Sequence, residues 1–112
     1  MAGGRHKLEL VRERGAAAVI DYGEGPFRDA VKALTEGRGA DVVFDPVGGD
    51  VFDESLHCVP PFGRVLVIGF AAGRIPSATV NHALLKQYAI VGVRAGEYGR
   101  VYPEGGCRVN RA

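Results

Sequence analysis

Apolar residues along this chain recur with two different spacings, and the two spacings alternate. In RHKLELVRERG (5–15), Leu8 and Val11 stand three apart with charges on the other faces, and Gly15 lies where a helix C-terminal glycine belongs, so a helix is predicted. AAAVIDY (16–22) is a short β-rich run that reads as a buried strand. PFRDAVKALTEG (26–37) spaces Phe27, Ala30, Val31 and Leu34 at i, i+3, i+4 and i+7, with Pro26 in the first turn and Gly37 at the end, which predicts a second helix. ADVVFD (40–45) is again strand-like and runs into Pro46 and the pair Gly48-Gly49. Asp50 is then placed to cap a helix whose inward face is Phe52, Leu56 and Val59 and which Pro60-Pro61 ends. GRVLVIGF (63–70) is a nearly unbroken apolar strand, a looser segment (71–80) leads into a short helical NHALLKQ (81–87), and YAIVGVRAG (88–96) is a last strand. From Glu97 onward the chain is glycine-rich and polar with no completed element, and 103–112 reads as a frayed tail.

Strands that alternate with helices and are apolar on both faces imply a parallel sheet covered by helices. Right-handed crossovers then favour a doubly wound, Rossmann-like α/β sheet, here a partial one of about four strands in a single domain over 1–102. The chain opens in a crossover helix with no strand to launch it and closes soon after Pro103-Glu104, a helix start that does not continue, so a fragment of a longer protein is expected. In such sheets ligands sit beyond the carboxyl ends of the strands, where backbone must approach closely. Two glycines after DVVFDPV therefore raise the question of what binds there.

Composition narrows the answer. With 24% charged and 46% hydrophobic residues the balance is that of a globular protein, and a net charge of +1 makes no electrostatic case for nucleic acid or an anionic membrane. The apolar runs are far below the roughly 20 residues of a transmembrane helix, and no charged-then-apolar leader opens the chain. Cys58 and Cys107 are too few for a disulfide framework, and a reducing, cytoplasmic setting is expected. Cys58, beside Leu56 and Val59, reads as a buried thiol. His6, His57 and His82 are far apart in the chain and lack metal spacing, and Asp53-Glu54 read as first-turn charges that favour the helix dipole. No G-x-S-x-G, H-E-x-x-H or P-loop occurs.

KLELVRERGAAAVIDY, GRGADVVFDPVGGDVFDESLHCVPPFGRVLVIGFAAGRIP and LLKQYAIVGVRAGEYG resemble, in order and spacing, the cofactor-binding domain of the quinone oxidoreductase branch of the medium-chain dehydrogenase/reductase (zinc-type alcohol dehydrogenase) family, over roughly residues 3 to 106. The resemblance implies a Rossmann domain that binds NADP(H), joined to a GroES-like catalytic domain, in enzymes that reduce quinones or enones by hydride transfer, generally without zinc. The pyrophosphate fingerprint G-x-G-x-x-G is absent: Gly23-Glu24-Gly25 and Gly37-Arg38-Gly39 both lack the third glycine. By register with the family, the acid that selects NAD falls near Ala2, with Gly3 and Gly4 following and no Asp or Glu before Glu9, which favours NADP(H). Lys7 and Tyr22 match family positions that contact the 2′-phosphate, and Arg5 adds charge; from the residues alone, Lys7 is a solvated helix residue and Tyr22 a strand-end surface residue.

The resemblance assigns Val47 and Gly48, with Gly49, to the loop on the adenine-ribose side, with Asp45 and Pro46 shaping the turn; a turn that needs positive φ and touches nothing is the other reading. Gly69 and Phe70 match positions lining the nicotinamide pocket and Val93 one near it, though as residues they read equally as core. In the family strand order 3-2-1-4-5-6 the two central strands are missing here. Strand 16–22 is therefore expected to move beside 41–45 or to pair with another chain. The last strand, 88–95, pairs across a two-fold axis in the family, so a homodimer is expected. Two functions stay open: a cofactor-binding fragment of an NADPH-dependent quinone or enone oxidoreductase, inactive alone and with no catalytic residue of its own, or a non-catalytic nucleotide-binding or dimerisation module.

Overall fold

The computed structural model describes residues 4–104 and shows α1 (Arg5–Glu13), a 3-10 turn (Tyr22–Glu24), α2 (Arg28–Leu34), β1 (Val42–Asp45), α3 (Gly49–Ser55), β2 (Arg64–Val67), α4 (Val80–Lys86), β3 (Ala89–Gly92) and α5 (Ala95–Val101). The three strands form one parallel sheet in the order β1-β2-β3. The class is α/β, as the alternating pattern predicts, with three strands among the described residues where about four are expected.

The missing strand is 16–22. Residues 16–20 are irregular, and the chain regularises only at the Tyr22–Glu24 turn, where Asp21 accepts a hydrogen bond from the Gly23 amide at 2.9 Å. A strand exists only as part of a ladder; among the described residues β1 pairs with β2 alone and Asp21 makes no more than an isolated bridge, so the expected shift beside 41–45 does not occur. The second departure is α5. A helix forms over Ala95–Val101, in a stretch whose glycines and polar residues predict no element, and the Glu97 carboxylate there is engaged by Arg94 and Arg100.

Register explains where the core lies. Val43, Val65 and Ile90 are partners, as are Asp45, Val67 and Gly92, so these point to one face. Onto that face α3 packs Phe52 and the turn after it packs Leu56 and Val59, which with Val65 and Tyr88 make the buried cluster. This is the inward face the spacing predicts. Lys86 ties α4 to the end of α3 by donating from Nζ to the Leu56 carbonyl at 2.8 Å. The opposite face, on which Phe44, Leu66 and Val91 are partners, leaves Phe44 66% exposed and Val91 exposed beside it. α2 follows the same economy: Phe27 is buried and Val31 half-buried, but Ala30 and Leu34, also expected to face inward, are exposed because no layer lies beneath them.

Candidate dinucleotide site

Asp45, Val67 and Gly92 end the three strands in register, so the segments that follow them gather at one end of the sheet. The first of these, 46–49, is shaped by Asp45. Its Oδ1 accepts from the amides of Val47 at 2.9 Å and Gly48 at 3.0 Å, which turns the chain sharply off the strand. Oδ2 of this buried carboxylate has no partner among the described residues. Gly48 then sits at φ +73°, and a Cβ there would meet Phe70 Cδ1 at 3.1 Å, so both conformation and space require glycine. Gly69 is close-packed in the same way, a Cβ there falling 3.3 Å from the Pro46 carbonyl oxygen. Val93 continues β3 and donates its amide to the Val67 carbonyl at 3.0 Å.

The 46–49 loop, the loop after β2, the Tyr22 turn and the start of α2 enclose a cleft of about 590 Å³. Of the residues singled out in the sequence, Tyr22, Val47 and Gly48 line it together. Phe70 and Gly69 stand directly behind Gly48 and Pro46, Val93 lies at the end of β3, and Lys7 is exposed on α1, outside the cleft wall. Sequence reasoning missed Pro26, Phe27, Glu54, Ala71 and Ala72 as further walls; the buried aromatic at 27 was the available signal.

Asp50 does not cap α3. The N-cap is Gly48, no side chain caps the helix, and Asp50 lies in its first turn, paired with Arg74 at 3.0 Å. Asp53 and Glu54 lie beyond that first turn, and each is held by a cation: Asp53 by Arg74 at 2.5 Å and Glu54 by Arg28 at 2.7 Å. Hydrogen bonding from Arg28 pulls the Glu54 carboxyl below the usual range, against the opposing effect of burial.

The first turn of α1 carries Arg5, His6 and Lys7, all exposed, and no acidic residue. Cations at a helix N-terminus oppose the macrodipole, and a local rule broken in this way marks a place where an anion would be favoured by side chains and helix together. The Gly4 amide donates to Asp21 Oδ1 at 3.5 Å, which sets this turn beside the one carrying Tyr22.

Away from the cleft, His57 and His82, expected apart, meet edge to face with ring centroids 5.6 Å apart, and His82 Nδ1 shares a 2.7 Å hydrogen bond with the Tyr88 hydroxyl. Among the described residues no three side chains of metal-binding type gather. Cys58 is a buried thiol, as expected, with its pKa raised mainly by burial; Cys107 and Ala2 lie outside the described residues. No helix among the described residues is long and apolar enough to cross a membrane.

A family model described as zinc-binding dehydrogenase matches residues 1–105. Quinone oxidoreductase-like protein 2 homolog of Nematostella vectensis is 41% identical over 89% of this chain and 27% of its own length, and Quinone oxidoreductase-like protein 2 of Mus musculus is 44% identical over 86% and 27%. The crystal structure of Escherichia coli quinone oxidoreductase complexed with NADPH superposes with a TM-score of 0.79 at 26% identity, covering 86% of this chain and 30% of that one. The chain thus spans under a third of the length of these proteins.

Proposed function

The chain belongs to the zinc-binding dehydrogenase family, and from that membership we propose that it forms part of the NADP(H)-binding domain of a quinone or enone oxidoreductase and is inactive alone. The observation that carries this reading is a cleft beyond the carboxyl ends of β1 and β2 lined by Tyr22, Val47 and Gly48, with the Tyr22 turn tied through Asp21 to the Gly4 amide that precedes the cationic first turn of α1.

In this reading Lys7 and Tyr22 hold the 2′-phosphate, Val47 and Gly48 line the adenine-ribose side, and Gly69, Phe70 and Val93 border the nicotinamide. The close approach at Gly48 and the first turn of α1 fit a ligand that carries sugar hydroxyls and a phosphate. Bound NADPH supplies a hydride; the chain's own residues bind and orient it, and none of them is assigned a catalytic step. In this reading reduction proceeds without zinc. The cofactor domain extends over 1–102 with 103–112 as its tail, and the free, buried Cys58 suits a reducing cytoplasm.

Titration of the chain with NADPH and NADH, followed by nicotinamide fluorescence, tests this reading. Weak saturable binding with preference for NADPH is expected. Equal affinity for the two, or reduction of a benzoquinone by the chain alone, would overturn it. The exposed residues of β3, at the open edge of the sheet, favour in addition a homodimer through residues 88–95. Size-exclusion chromatography with light scattering is expected to show it, and a strict monomer at high concentration counts against it.

A further inference from the structure

The loop after β2 doubles back over the start of α3. Gly73, at φ +90°, reverses the chain; the Ala71 and Ala72 amides donate to the Pro46 and Val47 carbonyls at 3.1 and 2.9 Å, and the Gly49 amide donates to the Arg74 carbonyl at 3.1 Å. Contact is tight enough that a Cβ on Gly49 would lie 3.3 Å from Ala72 Cβ. Past this seam the Arg74 guanidinium reaches across α3, and its Nη2 donates to Asp50 Oδ1 at 3.0 Å and to Asp53 Oδ2 at 2.5 Å. Ala71, Ala72 and Asp50 line the cleft, whereas Arg74 does not.

We propose that Arg74 is a positioning residue for the bound dinucleotide: its double ion pair fixes the Ala71–Ala72 wall and neutralises Asp50 at the rim of a cleft that takes an anionic ligand. The proposal rests on reading the cleft as the dinucleotide site.

Exposure decides what Arg74 is for. Its side chain is 50% exposed and that of Asp50 entirely so, and ion pairs in that setting add little to global stability. The seam they hold is short and lies at a loop, where local opening is uncoupled from unfolding of the sheet. Loss of Arg74 also leaves two carboxylates one helical turn apart near the ligand without the cation that pairs them, so their repulsion of its phosphates grows.

The test compares R74Q, R74K and R74Q/D50N with the parent chain by amide hydrogen exchange and by NADPH titration. In R74Q the amides of Gly49, Ala71 and Ala72 are expected to exchange roughly tenfold faster, with the amides of β2 unchanged. The Kd for NADPH is expected to rise about three- to tenfold. D50N in the R74Q background recovers part of the affinity without restoring exchange protection, and R74K recovers part of both. Unchanged exchange at Ala71 and Ala72 overturns the clamp whether or not ligand binds, and faster exchange with unchanged NADPH affinity overturns the positioning role. A parent chain that takes no NADPH defeats the cofactor reading itself, and the positioning role with it, before any variant is made.

Discussion

Arg28 holds Glu54 with three donors at once: Nε reaches Oε1 at 2.7 Å, Nη2 reaches Oε2 at 2.8 Å, and the Arg28 backbone amide reaches Oε1 at 3.2 Å. One carboxylate thereby fixes the first residue of α2 against α3, keeps Phe27 in its buried place and completes a wall of the cleft. A fork of this kind gives direction as well as attraction.

Acid should undo that contact in a defined window. The Glu54 carboxyl is held below its ordinary value of 4.5, chiefly by hydrogen bonding from Arg28. A depressed folded-state pKa gives stability that is fully present above the unfolded value and is lost as pH falls through the folded one. E54Q is expected to lower the melting temperature by about 2–6 °C at pH 7. Below pH 4.5 the difference between parent and variant should close, which thermal melts across pH 3 to 7 would show.

His57 sets a second window at higher pH. Burial, and then the nearby Arg28 and His82, push its imidazole below the ordinary 6.5. Here the unfolded state takes up the proton first, so stability declines as pH falls from about 6.5 and stops declining once the folded form is also protonated. Proton-detected titration should find His57 titrating below the ordinary 6.5, and H57Q should flatten the melting profile between pH 7 and 5.

Two glycines separate backbone strain from crowding. Gly39 has φ +101° and a Cβ there would fall 2.1 Å from the Cys58 carbonyl oxygen, while Gly25 has φ +131° with nothing within 4 Å. G39A is expected to cost about 3 kcal/mol or more and G25A about 1 kcal/mol, read as the shift of the urea midpoint.

Lys7 tests the phosphate assignment independently of the cleft. K7A is expected to weaken NADPH about tenfold and to leave NADH within a factor of about two, since a charged hydrogen bond to a phosphate is lost from one ligand alone. Equal losses for both would remove Lys7 from the site. Apo melting should not change, because the side chain is exposed.

What was legible in the sequence was whatever a local pattern encodes. The apolar runs at 42–45 and 64–67 are strands, Phe52, Leu56 and Val59 face inward, and Gly15 and Gly37 end their helices at positive φ. AAAVIDY carries the same local signal as those runs and fails, because strand formation depends on a partner edge that no local pattern reports. The ion pairs were invisible for a related reason: Arg28 and Glu54 lie 26 apart, Arg74 and Asp50 24 apart, and nothing in either neighbourhood marks its mate. Asp50 shows both effects. Its position suggests a cap, yet Gly48 takes the cap and a distant arginine takes the carboxylate.

With Phe44 and Val91 open to water, the sheet among the described residues is a half-finished sandwich, dressed on one side only. Whatever settles against the bare side dehydrates both partners together, at about 25 cal/mol for each square ångström covered. How firmly these three strands hold therefore rests on the chain's own helices and on anything that covers that face.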